Sequence, residues 1–456
     1  VITRSVRVYR TDSPNFDDYH DHMCAEELPS GDVIVALSNH YQVTASNVRE
    51  RPLFLLIDKA TATVKAARYV EADNSDQAAL LYILSQGTHL FYNESTGRVE
   101  THIGFVDGNH QTGCVFAELS PTTLNIITQK RVYTAHSDTS SSGEHGSYRT
   151  LDSGHRFLCY LLSSRSSGGS TAIGFVKTTN AFHMDPSNPD TWIRIWKGLS
   201  SLPAPYAGST QYISSTPIIF GTGDIRNVLL GSSRPILLRI DTKSATLVRT
   251  NGIYPKNLNA PSNNYFGDPA THVTANSELV FISIYSSYTY GYFPIVVKLN
   301  ADGTLAWYKC LYDGTNSTIV ANPEIGIGSN SNGDIFVSAI SGNNNDKLTI
   351  IKLDKSSGSV LKVRRLKRSM LSPYGNPQGQ VAGIFGRYRT EGIGVVQLTT
   401  IPPSQYVGAI LYQLNDDLEI SAENCNPFED PGITFSTPPG ISVQFDTITN
   451  VPLVIT

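Results

Sequence analysis

Three features of the 456-residue sequence predict an all-β fold, a seven-bladed β-propeller of four-stranded antiparallel blades with a β-prone C-terminal extension. One four-strand phrase recurs seven times, helical periodicity is nearly absent, and 36 Gly and 24 Pro punctuate the chain. The clearest copies are PLFLLIDKATATVKAARYV, RPILLRIDTKSATLVRT, PIVVKLNADGTLAWYKC and LTIIKLDKSSGSVLKVRRL, each an apolar β run, a polar turn and a second β run. Weaker copies are CVFAELSPTTLNIITQKRV, AIGFVKTTN followed by TWIRIWKG, and GAILYQLNDDLEIS. Anchored on the residue that opens the turn, they sit at Asp58, Ser120, Thr179, Asp241, Asn300, Asp354 and Asn415, with spacings of 62, 59, 62, 59, 54 and 61 residues.

A second hairpin lies between these, with turns at Ser30-Gly31, Gln86-Gly87, Ser153-Gly154, Thr222-Gly223, Asn276-Ser277, Asn332-Gly333 and Glu391-Gly392. Glycine returns there because two-residue hairpin turns demand positive φ. Each repeat therefore reads as strands a to d: a, turn, b, long loop, c, tight turn, d. In the sixth copy these are PEIGIGS, DIFVSAIS, LTIIKLD and VLKVRRL. The opening VITRSVRVYR alternates like a d strand and is expected to join the last blade, beside or in place of Asp417–Ser421. Residues 1–423 then form the closed propeller and residues 424–456 an extension for docking. That extension carries Pro427, Pro431, Pro438, Pro439 and Pro452 and ends in ISVQFDTITNVPLVIT. Being β-prone and weakly charged, it either docks on its own propeller or lends a strand to a partner.

Composition excludes several classes. Hydrophobic residues at 40% are enough for a core, and charged residues at 16% fall below the roughly 25% of an average soluble protein, so charge-driven disorder is excluded. A net charge of -4 offers no basic footprint, and no nucleic-acid partner is expected. No run approaches 18 apolar residues, so no membrane insertion is expected. Five cysteines without a C-x-x-C read as buried thiols rather than a zinc knuckle. The chain opens with neither Met nor a signal peptide, an end expected from processing or from the choice of fragment.

Strand order sends the a–b and c–d turns to one side and the b–c and d–a loops to the other. The first side is nearly all tight turns, apart from TTNAFHMDPSNPDT in the third blade. The second carries the long segments, among them SNHYQVTASNVRERP, NESTGRVETHIGFVDGNHQTG, YPKNLNAPSNNYFGDP, YSSYTYGYF and KRSMLSPYGNPQGQ. Long variable loops on a rigid scaffold are where recognition usually sits.

The binding candidates are Tyr285, Tyr288, Tyr290 and Tyr292, which either stack on sugar rings or anchor a protein, or else simply continue strands b and c. His20 and His22, with Asp18 and the flanking Asp17 and Asp21, are the metal candidates, because residues i and i+2 of a strand share a face. Hydrogen-bonded polar residues at the mouth of the propeller are the alternative. His145, His155 and His272 flank or occupy inner strands, where a propeller enzyme would gather acid and base groups. The basic run Lys362–Arg368 is read as an outer edge strand, where cations discourage sheet pairing. Sequons occur at Asn93 and Asn316.

Asn300–Trp307 (NADGTLAW) resembles the outer hairpin of propeller families whose units read roughly aspartate, any, glycine, any, any, tryptophan. Such repeats occur in quinoprotein-like bacterial propellers, and similar propellers occur among bacteriophage structural proteins. The resemblance implies the fold. Three function classes follow. The first is a non-enzymatic structural or receptor-interaction protein of an extracellular assembly, chiefly a phage virion or tail appendage, with other structural proteins as partners and a host surface glycan as a further one. The second is a secreted glycan-binding propeller. The third is a propeller enzyme in which substituting His20, His22 or His272 abolishes activity. The sequence shows no matched catalytic set and no charges placed for a quinone, so the expectation is no enzyme activity and no cofactor.

Overall fold

The computed structural model describes residues 6–10, 23–44, 47–69, 80–82, 89–107, 112–133, 146–162, 172–185, 187–196, 216–231, 234–257, 265–266, 269–287, 289–314, 319–320, 326–341, 347–367, 376–390, 392–401, 406–420 and 428–448. These residues form seven antiparallel sheets, the blades of a β-propeller, and no helix. The sixth blade is representative, with Ile327–Ser329, Ile335–Ser341, Lys347–Leu353 and Val360–Leu366 as strands a to d.

Six of the seven turn anchors fall where strand c passes to strand d, and the seventh, Asn415, opens the turn that follows strand c of the last blade. Asp58, Ser120, Thr179, Asn300, Asp354 and Asn415 each donate a backbone hydrogen bond across the turn they open, and the Asp241 carboxylate accepts from the amides of Lys243 and Ser244. A left-handed residue follows each anchor three or four positions on. It is glycine at Gly303 and Gly358, but Ala62, Leu124, Phe182, Ala245 and Leu418 elsewhere, at φ between 54° and 59°. A side chain in that region costs conformational energy. All five are buried, so packing beneath the turn offsets the strain.

Tryptophan fastens neighbouring blades. Trp192 at the start of strand d in blade 3 donates to the Thr242 carbonyl in the next c–d turn at 2.9 Å, and Trp307 of blade 5 donates to the Lys355 carbonyl at 3.0 Å.

The ring closes with Val6–Arg10, which pairs antiparallel with Tyr406–Leu414 and takes the d position of the last sheet. Residues 417–420 form no strand. Two expectations about register need correction. In blade 2 strand a is His89–Asn93 and the a–b turn lies at residues 94–97, not at Gln86-Gly87. Gly97, at φ 64°, and the Asn93 side chain, which accepts from the Ser95 amide, make the competing turn. Several expected long loops are largely strand: Val33–Thr44 and Asn47–Ile57 occupy 38–52, and Arg98–Asp107, Thr246–Asn257 and Asn376–Phe385 enter three others. These segments lack a clear apolar alternation in sequence, so the two-residue period of a strand does not stand out.

By contacts the chain forms two compact units: residues 1–35, 57–65 and 254–443, and residues 36–56, 66–253 and 444–456. In the first, apolar side chains fill the space between sheets in two clusters, one around Phe336, Ile350, Tyr412 and Phe428, the other around Val280, Val296, Trp307 and Ile351. In the second, Phe116, Tyr148, Leu158 and Phe182 pack together, with edge-on ring contacts of Tyr148 to Phe116 and Phe182 at 5.6 and 5.3 Å.

The described part of the extension docks on the chain's own blades. Phe428–Glu429 pairs with Arg365–Leu366 at the outer edge of blade 6, Ser436 bridges to Tyr312 after blade 5, and Ile441–Ile448 adds a fifth strand to the sheet of Thr246–Asn257. The basic strand Val360–Leu366 is therefore not a bare edge. Lys362 pairs with Asp417 and Arg364 with Glu419, both at 2.8 Å.

Candidate functional site

In the first unit, the a–b turns of blades 5 and 6 and the c–d turns beside them enclose a cavity of about 380 Å³. Its walls begin with two local turns. In blade 5, the Thr274 amide donates to the Glu278 carbonyl and Ser277 takes φ 57° where other blades use glycine. In blade 6, the Asn330 side chain accepts from the Asp334 amide at 3.0 Å and Gly333 takes φ 87°.

Charged groups brace the floor. Lys298 rises from an apolar strand, where it pairs with Glu278 at 2.9 Å and donates to the Lys355 carbonyl at 3.1 Å. That carbonyl also receives the Trp307 indole, so the lysine and the tryptophan share one acceptor. The Lys355 ammonium donates to the Asn332 carbonyl at 2.7 Å. Behind Trp307 lies Gly358, at φ 66°, where a Cβ would meet the indole at 2.6 Å, so only glycine seats the ring. Asn330 is 2% exposed, and its Nδ2 has no hydrogen-bond partner among the described residues.

His272 shares a 2.8 Å hydrogen bond with Ser329, which lines the cavity. The distance is that of a base and its nucleophile, but the electrostatics differ. Desolvation, with the Arg387 guanidinium second, pushes the His272 pKa down to about 3. An efficient general base at neutral pH has a pKa near the working pH. His272 is a neutral imidazole that positions Ser329. Arg387 itself faces Glu26 at 3.8 Å, and next to them Glu27 and Arg389 form a buried ion pair.

The sequence-predicted residues are distributed differently. Tyr285 is fully buried and packs edge-on against Phe293 at 5.1 Å, so its ring faces the blade interior. Tyr290 meets Tyr312 edge-on at 5.7 Å and donates to the Pro439 carbonyl, which places it against the extension. Tyr292 is 56% exposed. Tyr288, His145 and the metal candidates Asp18, His20 and His22 lie outside the described residues, and so does Asn316. His155 bonds Ser153 in its own turn. The cavity itself escaped sequence reasoning, because it lies among the tight turns. The available signals were Lys298 inside PIVVKLN and the run Ser329-Asn330-Ser331-Asn332-Gly333.

Asn93 ends strand a of blade 2. Its Nδ2 donates to the buried Glu100 carboxylate at 2.7 Å and its Oδ1 accepts from Ser95. Folded protein from a glycosylating secretory host should therefore carry no glycan at Asn93. Mass spectrometry that finds one on folded material would show that this bond is dispensable.

No protein-family model matches the sequence, and no curated protein matches it significantly. Solved structures similar to the chain include the polysaccharide lyase Uly1, with 9% identity, a TM-score of 0.46 and coverage of 91% of this chain and 100% of that one. An α-L-arabinanase of Penicillium chrysogenum has 11% identity, a TM-score of 0.42 and coverage of 91% and 98%. The quinohemoprotein alcohol dehydrogenase ADHIIG of Pseudomonas putida HK5 has 9% identity, a TM-score of 0.42 and coverage of 95% and 78%. The likeness is one of fold. It corrects one expectation: with a lyase, an arabinanase and a dehydrogenase among the propellers similar to this chain, the reading of the chain as no enzyme does not stand.

Proposed function

We propose that this chain is a ligand-binding propeller that takes a small polyhydroxylated molecule, of the glycan class, in the cavity between the turns of blades 5 and 6. The observation that carries the reading is the lining itself: four asparagines, hydroxyls of Ser329, Ser331 and Ser356, and Trp307 around about 380 Å³. Amides and hydroxyls both donate and accept, which suits a ligand whose hydroxyls do the same. The volume falls at the small end of ligand sites, which run from roughly 300 Å³ upward.

A glycan array probed with the full chain, followed by calorimetric titration, tests this. Asn276→Ala and Asn332→Ala, both at exposed turn positions, should each weaken binding by about 0.5–1.5 kcal/mol, the usual net contribution of one hydrogen bond. Absence of any binder on the array, or variants that bind like the parent, would overturn the reading. The assembly role drawn from the sequence keeps less support, because the described strands of the extension are already paired with the chain's own blades.

A further inference from the structure

We infer that the cavity between blades 5 and 6 reads a carboxylate, so that its ligand is an acidic rather than a neutral sugar; this rests on the glycan-class reading of the same site. Two independent observations lead there. The first is a donor without an acceptor. Among the described residues, the one buried side-chain atom of the cavity walls that lacks a partner is Asn330 Nδ2. Its orientation is set, because the other end of the amide already accepts from the Asp334 backbone. A buried amide N–H left unpaired carries a desolvation cost, which an acceptor on a ligand would recover.

The second observation is charge. The ionisable groups of the lining are Lys298, Lys355 and Glu278. Glu278 is committed to Lys298, with the Thr274 hydroxyl as a further donor at 3.3 Å. The Lys355 ammonium is exposed, and with one bond to the Asn332 carbonyl it retains donors for a ligand. The walls thus carry one surplus positive charge. A carboxylate, with two acceptor oxygens and one negative charge, meets both requirements at once.

The test is titration of the full chain with cellobiouronate (a glucose disaccharide ending in glucuronate), with neutral cellobiose and with glutarate. Cellobiouronate should bind at least about tenfold more tightly than cellobiose, which is about 1.4 kcal/mol. The preference should weaken as salt rises. Asn330→Asp keeps the acceptor for Asp334 but puts a charged oxygen where the free donor was, so it should abolish the preference. If that variant does not fold, Lys355→Gln, at an exposed position, should reduce the preference severalfold. Equal binding of the two disaccharides would overturn the carboxylate inference and leave the glycan reading standing. Binding of glutarate without either sugar would support the carboxylate and overturn the glycan reading. Binding of none of the three would overturn both.

Discussion

Replacing Phe428 with alanine should lower the unfolding free energy by about 3–5 kcal/mol, the range for removing a fully buried aromatic side chain. Phe428 is 2% exposed and lies edge-on to Tyr412 at 5.7 Å, among Leu366, Ile410, Leu418 and Ile420. It belongs to the extension, yet it completes the core between blades 6 and 7. Its backbone, with that of Glu429, also pairs with the outer strand of blade 6. A chain ended at residue 423 should lose at least as much stability as the point variant. Denaturant unfolding measures both. A loss below about 1 kcal/mol for Phe428→Ala would mean that the extension rests on the surface rather than in the core.

Replacing Arg389 with methionine should cost a similar amount at neutral pH, about 3–5 kcal/mol, because it strands a buried carboxylate. Glu27 and Arg389 are 1% and 3% exposed, and the pair joins the first blade to the last. Methionine retains much of the arginine stem, so packing over Phe385 is largely kept while the charge is lost. Burial raises the Glu27 pKa above its ordinary 4.5, with Arg389 pulling it back down. Removing the arginine should raise it further.

A carboxyl with a raised folded pKa binds more protons when folded than when unfolded, so its contribution to stability is lost as pH rises through that pKa. The deficit of the variant should therefore be largest near pH 7 and shrink as the pH falls towards 4.5. Adding Glu27→Gln should recover part of it at neutral pH. A deficit that does not change with pH would place the loss in packing instead. The turn aspartates have the opposite sign. Asp58, Asp354 and Asp417 have lowered pKa values, from hydrogen bonds in their own turns for the first two and from Lys362 for the third. Their contributions are present at neutral pH and are lost as pH falls through the lowered values.

Local interactions were legible in the amino-acid sequence. The c–d hairpins join residues a few positions apart, so the anchors at Asp58 through Asp354 and the strands around them follow from polar turn chemistry and β-prone runs. The start of the chain was legible too, because the alternation of VITRSVRVYR matches a half-exposed strand, and Val6–Arg10 is the outer strand of the last blade. Blade 2 misled because two turn signals stand close together, and the sequence carries no measure of which one the next strand will pair with.

The amino-acid sequence by itself determined the sevenfold repeat, the seven anchored turns and the strand character of the opening segment, since each depends on near neighbours or on a simple period of two. Only the tertiary structure decided where the extension lies and where the cavity opens. Phe428 must meet Tyr412, Trp307 must meet the Lys355 carbonyl, and His272 must meet Ser329. Those meetings arise from blades packing side by side, and no local pattern in the chain encodes them. The free end of the Asn330 amide is visible for the same reason, since a missing partner can be recognised only after every neighbouring group has found its own.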